Sequence, residues 1–110
     1  MKILSTLLVI TGTLLVIACN SPIKQLPSNA FLVDVRTSDE FSEGSVPNAV
    51  NIPLDQVEQS LDQFQNKENI VVFCRSGNRS GQAMEILQKN GIDNVVNGGS
   101  WENVAKLLAE

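Results

Sequence analysis

Apolar and polar positions divide this chain into two unlike parts. From Ile3 to Ile17 the residues are apolar apart from Ser5, Thr6, Thr11, Gly12 and Thr13. From Phe31 onward, short apolar runs alternate with segments of helical spacing. Phe31-Leu32-Val33-Asp34-Val35 predicts a strand. Thr37-Ser38-Asp39-Glu40 has the form of a capping box, in which threonine and glutamate satisfy each other's free backbone donors at a helix start. Ala49–Ile52 predicts a second, brief strand. Leu54, Val57, Leu61 and Phe64 recur at helical spacing and predict one buried stripe, with the acids between Asp55 and Glu68 on its solvated face. Ile70-Val71-Val72-Phe73 is a continuous apolar run, as a central strand covered on both faces requires. Ala83, Met84, Ile86 and Leu87 mark a further helix, and Gly91 after Asn90 suits its left-handed cap. Val95-Val96 predicts a last short strand, Gly98-Gly99 a turn, and Trp101, Val104, Ala105 and Leu108 the inner face of a closing helix. The alternation predicts an α/β fold with about four parallel strands flanked by helices.

One hundred and ten residues allow a single domain, and the first apolar block stands outside it. That block has the length of a signal-peptide hydrophobic region and falls short of the ~20 residues a spanning helix needs. Met1-Lys2 supplies its positive start. It ends in Val16-Ile17-Ala18-Cys19, which resembles the lipobox of bacterial lipoproteins, with a small residue before Cys19 and polar Asn20-Ser21-Pro22 after it. The resemblance implies cleavage before Cys19, a diacylglycerol on its sulfur and acylation of its new amino group. Two or more chains anchor a protein stably where one holds it only marginally. The expected organisation is a signal peptide over 1–18, a lipidated cysteine and tether over 19–30, and the domain over 31–110. The expected location is the periplasmic or extracytoplasmic face of a bacterial membrane. Fully extended, the tether from Asn20 to Ala30 reaches at most ~40 Å.

Removing the first 18 of 110 residues leaves 92, enough for one core, and takes away Lys2, so the formal charge moves from −4 to −5. An acidic domain without a basic run excludes nucleic acid as a partner. It has no general attraction to anionic lipid, so the membrane tie would be the lipid itself. No histidine occurs, which excludes Cys-His and Ser-His pairs and histidine-ligated metal sites; the expectation is no metal and no cofactor. Of the two cysteines, Cys19 belongs to the anchor and Cys74 is left without an intramolecular partner, so this is no disulfide scaffold.

The chemistry concentrates in Cys74-Arg75-Ser76-Gly77-Asn78-Arg79-Ser80-Gly81, at the carboxyl end of the predicted central strand, where open α/β sheets bind ligands. A helix start there brings a partial positive charge and free N–H groups. Gly77 and Gly81 let the backbone curl its N–H groups inward into an anion nest, and Arg75 and Arg79 add two full charges. An ordinary thiol of pKa ~8.5 is only about 3% thiolate at neutral pH, and a two-unit drop needs ~2.7 kcal/mol. A helix terminus contributes up to ~2 kcal/mol and a close arginine about one unit or more. The loop therefore suffices to activate Cys74 without a general base.

These blocks resemble a single-domain rhodanese from Phe31 to the C-terminus. Asp34-Val35-Arg36 matches the family's first motif, Glu40-Phe41, Gly44 and Val46-Pro47-Asn48-Ala49-Val50-Asn51-Ile52-Pro53 its second, Cys74 to Ser80 its active loop, and Gly98-Gly99 with Trp101 its closing block. The short length and Gly81-Gln82-Ala83 resemble the periplasmic phage-shock-protein-E branch. The resemblance implies sulfur transfer in two steps, with thiosulfate or polysulfide as anionic donor and a thiophilic acceptor. Cys74 is the implied persulfide carrier. The N–H groups of Arg75 through Ser80 would cradle the sulfur, Arg75 or Arg79 would hold a sulfonate, and Asp34 and Arg36 would buttress the loop. Two departures stand out. Ser45 occupies a position where the family often has histidine. The usual opening strand and helix are missing, which leaves the sheet truncated at its N-terminal side, with an edge for the tether or a partner to cover. Two other functions share these features, a non-catalytic rhodanese-like interaction or persulfide-carrier module and a cysteine phosphatase or arsenate reductase. The latter two enzymes place five residues between cysteine and arginine, and this chain places four, Arg75 to Asn78.

Overall fold

The computed structural model describes residues 23–110; the signal-peptide and Cys19 readings lie outside these residues. Strands β1 (Ala30–Asp34), β2 (Val50–Asn51), β3 (Asn69–Cys74) and β4 (Val95–Ser100) form one parallel sheet in the order β2-β1-β3-β4. This is the α/β architecture that the alternation predicts. β3 is central, and Ile70 to Cys74 are all buried, as a strand covered on both faces must be.

Side chains alternate across the sheet and feed two cores. One face carries Val33, Ile70, Val72, Cys74 and Val95, packed under helix α2 (Asn78–Lys89) through Ala83 and Leu87. The other carries Leu32, Val71 and Phe73 against Val104 and Trp101 of helix α3 (Trp101–Leu108). Helix α1 (Ser38–Glu43) starts with the predicted capping box: Glu40 N–H donates to Thr37 Oγ1 at 3.2 Å and Thr37 N–H to Glu40 Oε1 at 3.1 Å. α2 ends as predicted. Gly91 adopts φ +83°, Ile92 N–H donates to the Leu87 carbonyl and Gly91 N–H to that of Gln88, the two bonds of a Schellman motif.

Three expectations change. The stripe Leu54, Val57, Leu61, Phe64 does face the core, but on two 3-10 segments, Leu54–Gln56 and Glu58–Phe64, with Ser60 out of helical geometry. Burial of the apolar positions selects the face, and the tighter winding meets it over a short stretch. Gly98-Gly99 is not a turn after a two-residue strand. β4 runs on to Ser100, and its pairing with β3 slips by one residue so that Val72 pairs with Asn97 and Phe73 with Gly99. Gly98 is the extra residue of a bulge. A Cβ there would lie 2.8 Å from both Val104 Cγ2 and Val71 Cγ1, so glycine is what lets α3 close on the strand. Finally, residues 23–29 are more than a tether. Ile23 and Leu26 pack on the α3 face, and Asn103 Nδ2 donates to the Ile23 carbonyl. They cross that face rather than the outer edge of β4, which has no strand partner among the described residues.

Candidate active site

The parallel register brings the end of β3 beside the end of β4, with Cys74 paired to Ser100. The chain then turns through Arg75-Ser76-Gly77 into α2. Gly77 caps that helix at φ +100°, a left-handed conformation that costs glycine little and other residues more. This turn carries backbone donors back over the strand end: Gly77 N–H reaches Cys74 Sγ at 3.0 Å and Ser80 N–H reaches it at 3.5 Å. The Ser80 hydroxyl lies 3.4 Å from the same sulfur. Burial pushes the Cys74 thiol up. Hydrogen bonds that the thiolate would receive from the Ser80 hydroxyl and from the Ser80, Ser76 and Gly77 amides push it down and prevail, so the thiol sits below its ordinary value.

The two loop arginines fare differently. Arg79 is taken by Glu40 of α1, with Nη1–Oε1 at 2.7 Å and Nη2–Oε2 at 3.0 Å. That fork pulls the Glu40 carboxyl down to about 2 and raises the guanidinium. Arg75 is exposed and has no ion-pair partner among the described residues. It opens onto a cavity of about 340 Å³ lined also by Arg36, Glu40, Glu43, Gly44, Trp101 and Glu102. Cys74 does not line this cavity; its exposure is 1%. Ser76 and Asn78 point to solvent, Asn78 as the first residue of α2.

Asp34 and Arg36 form a buried pair, Nη2–Oδ2 at 2.7 Å, but the loop is not what they brace. Asp34 also accepts from Ser45 Oγ at 2.7 Å, Arg36 donates to the Gly44 carbonyl at 2.6 Å, and the guanidinium lies 5.2 Å over the Trp101 ring. Together they fix the Gly44–Ser45 wall of the cavity. Their side chains leave the sheet on the α3 face, whereas Cys74 faces α2. Ser45, which departs from the family's frequent histidine, gives the buried carboxylate a neutral donor.

The sequence reading missed Asn97 and the second use of Glu40. Asn97 is buried, accepts from Ser80 Oγ at 2.7 Å and Gly99 N–H at 2.9 Å, and donates from Nδ2 to the Gly77 carbonyl at 2.9 Å. The available signal was a polar residue at the inward position of Val95-Val96-Asn97, where a second apolar side chain is expected.

A family model described as Rhodanese-like domain matches residues 19–106. Thiosulfate sulfurtransferase PspE of Escherichia coli is 35% identical over 75 residues, covering 66% of this chain and 72% of that protein. A sulfurtransferase of Allochromatium vinosum is 33% identical over 69 residues, covering 63% and 64%. A solved structure described as rhodanese with anions from E. coli is 33% identical with a TM-score of 0.63, covering 69% of this chain and 92% of that one. The chain spans 59%, 54% and 64% of the length of relatives from Schizosaccharomyces pombe, Bacillus subtilis and A. vinosum.

Proposed function

This chain belongs to the rhodanese-like domain family, and from that premise we propose that it is a sulfurtransferase carrying sulfane sulfur as a persulfide on Cys74. The observation that carries the reading is the convergence of the Gly77 and Ser80 amides on Cys74 Sγ. Preset donors of this kind stabilise an anion without reorganising when the charge appears. In the first step the Cys74 thiolate attacks the outer sulfur of a thiosulfate-type donor. A new S–S bond forms, the bond to the sulfonate sulfur breaks, and its electron pair leaves with sulfite. In the second, an acceptor thiolate or cyanide attacks the outer sulfur of the persulfide, and Cys74 departs as thiolate. The same amides hold the anionic sulfur before and after each step.

Arg75 is the cation for the sulfonate, because Glu40 already holds Arg79 in a fork. Arg79 then shapes the loop by tying α2 to α1, while Asp34, Arg36 and Ser45 keep the cavity wall in place. Ser76 and Asn78 contribute backbone curvature and an open approach. On the sequence pattern around Cys19, the protein is lipid-anchored to a bacterial membrane from outside the cytoplasm.

Intact mass after thiosulfate treatment tests the reading. Wild type is expected to gain one sulfur, with sulfite released, and Cys74→Ser to gain none. A wild type that gains no sulfur from thiosulfate, polysulfide or a protein persulfide would make this a binding module instead.

A further inference from the structure

We propose that Asn97 is a positioning residue that holds the Ser80 hydroxyl proton away from Cys74, so that the hydroxyl accepts from the resting thiol and must turn over when the sulfur becomes anionic.

Two backbone groups of opposite sense decide the orientation of the Asn97 carboxamide. The Gly77 carbonyl, at 2.9 Å, needs a donor and therefore faces Nδ2. Gly99 N–H, at 2.9 Å, needs an acceptor and therefore faces Oδ1. The Ser80 hydroxyl lies 2.7 Å from that same Oδ1, an atom that only accepts. A serine has one hydroxyl proton, and at this distance Asn97 holds it. What Ser80 then presents to Cys74 Sγ, 3.4 Å away, is a lone pair. The resting chain runs one way, from thiol S–H to Ser80 Oγ and from Ser80 O–H to Asn97 Oδ1.

That chain stabilises the neutral thiol, while the Gly77 and Ser80 amides stabilise the thiolate. The hydroxyl favours the anion only after rotating its proton onto sulfur and giving up Asn97. No proton passes between residues in this step: the thiol proton leaves to solvent, and Ser80 O–H turns about its C–O bond. Asn97 Oδ1 retains Gly99 N–H as a donor after the turn, so that acceptor stays partnered in the switched state. The same carboxamide, through Nδ2, keeps the Gly77 carbonyl in place and with it the amide that touches the sulfur.

The charged groups of the loop and the cavity lining are Arg75, Arg79 of α2 with its partner Glu40 of α1, Arg36 paired with Asp34 at the end of β1, and Glu43 and Glu102. The helices around the sulfur also carry Asp39 on α1, Glu85 and Lys89 on α2, and Lys106 on α3. β4 brings no ionisable side chain. None of these groups touches Asn97 in the described hydrogen bonds, which leaves the Ser80 rotor and the Gly77 backbone as the routes by which a neutral residue on β4 reaches the thiol.

The inference deepens the proposed sulfur chemistry, but its test reads the thiol rather than turnover. The rate of Cys74 alkylation by iodoacetamide, followed against pH, reports the thiol's ionisation. Asn97→Leu removes the rival acceptor, and its apparent pKa is expected to fall by about half to one unit, the range of one ordinary hydrogen bond. In a Ser80→Ala background the same substitution loses only the Asn97 contacts with Gly77 and Gly99, and the fall is expected to be absent there. A rise in Asn97→Leu, or an equal shift in both backgrounds, would overturn the rotor and leave Asn97 a packing residue. Should the leucine variant fold poorly, wild type decides. The Asn97 Cγ resonance is expected to move with the Cys74 titration as Oδ1 loses its hydroxyl partner, and a resonance that stays fixed rejects the proposal. Failure of sulfur loading with the rotor intact would count against the sulfurtransferase reading alone.

Discussion

Gly98 and Arg75 mark two ways in which single residues matter here. At Gly98 the limit is space, because a methyl group would press within 2.8 Å of Val104 and Val71. Gly98→Ala is expected to cost about 1–3 kcal/mol, the range for overpacking a tight core, measured by urea unfolding. It would also disturb Asn97 and Gly99 on either side of it, and so the bonds that Asn97 makes to Gly77 and Ser80. At Arg75 the matter is chemistry. Its guanidinium is exposed and has no carboxylate partner among the described residues, so in the proposed function a donor's sulfonate would meet it without first breaking an ion pair. Arg75→Ala is expected to raise the KM for thiosulfate about 10- to 100-fold, the worth of a charge-assisted hydrogen bond, with a smaller change in kcat. Arg75→Lys should recover only part of this, since an ammonium lacks the planar fork. An unchanged KM in Arg75→Ala would remove this arginine from donor binding.

Between elements, Glu40 joins two structures that the sequence presents separately. Its Oε1 accepts from Thr37 N–H and Oγ1 in the α1 cap, and its carboxylate also takes the Arg79 fork from α2. One charge thus supports a helix start and ties α1 to the helix that follows the active loop. The Arg79 fork and the Thr37 donors hold the Glu40 carboxyl at about 2, below its ordinary 4.5. A depressed carboxyl stabilises the fold fully above the unfolded value and loses that contribution as pH falls toward the folded one. Wild-type stability is therefore expected to decline as pH drops from about 5 to about 2, and Glu40→Gln to show a shallower decline, as urea midpoints over that range would reveal. An equal pH dependence in both proteins would mean that the fork adds nothing to stability. Thr37→Ala, which removes the cap acceptor while leaving the fork, should cost about 1 kcal/mol.

At the scale of the molecule, the sheet separates two cores that serve different parts of the site. The α2 side holds the buried sulfur, and the α3 side holds the cavity wall built on Arg36 and Trp101. Ile23 and Leu26 close the second core from outside the expected domain boundary. Leu26→Ala is accordingly expected to lower stability by about 1–3 kcal/mol, where a free tether would predict no change. The proposed lipid anchor belongs to this scale as well. Cys19→Ala is expected to leave sulfur loading of Cys74 intact while moving the protein from the membrane fraction to the soluble one, and membrane retention would refute the anchor.

Periodicity and local chemistry made several features legible in advance. The four parallel strands, the Thr37–Glu40 cap, the Gly91 helix end and the placement of Cys74 at a strand end before a helix all depend on residues close together in sequence. Such contacts follow from spacing and backbone preference, which a sequence displays directly. The sulfur-facing loop was readable for the same reason, since Cys74, Gly77 and Ser80 lie within one turn of chain. What the sequence alone could not assign was the choice among partners far apart along it. Glu40 claims Arg79 from 39 residues away, Ser45 finds Asp34, and Asn97 takes the Ser80 hydroxyl. The first two depend on how the chain packs around β1 and β3, and the third on the register of β4 and the bulge at Gly98. A slip of one residue in β4 changes which atoms meet, and only the folded sheet specifies that slip.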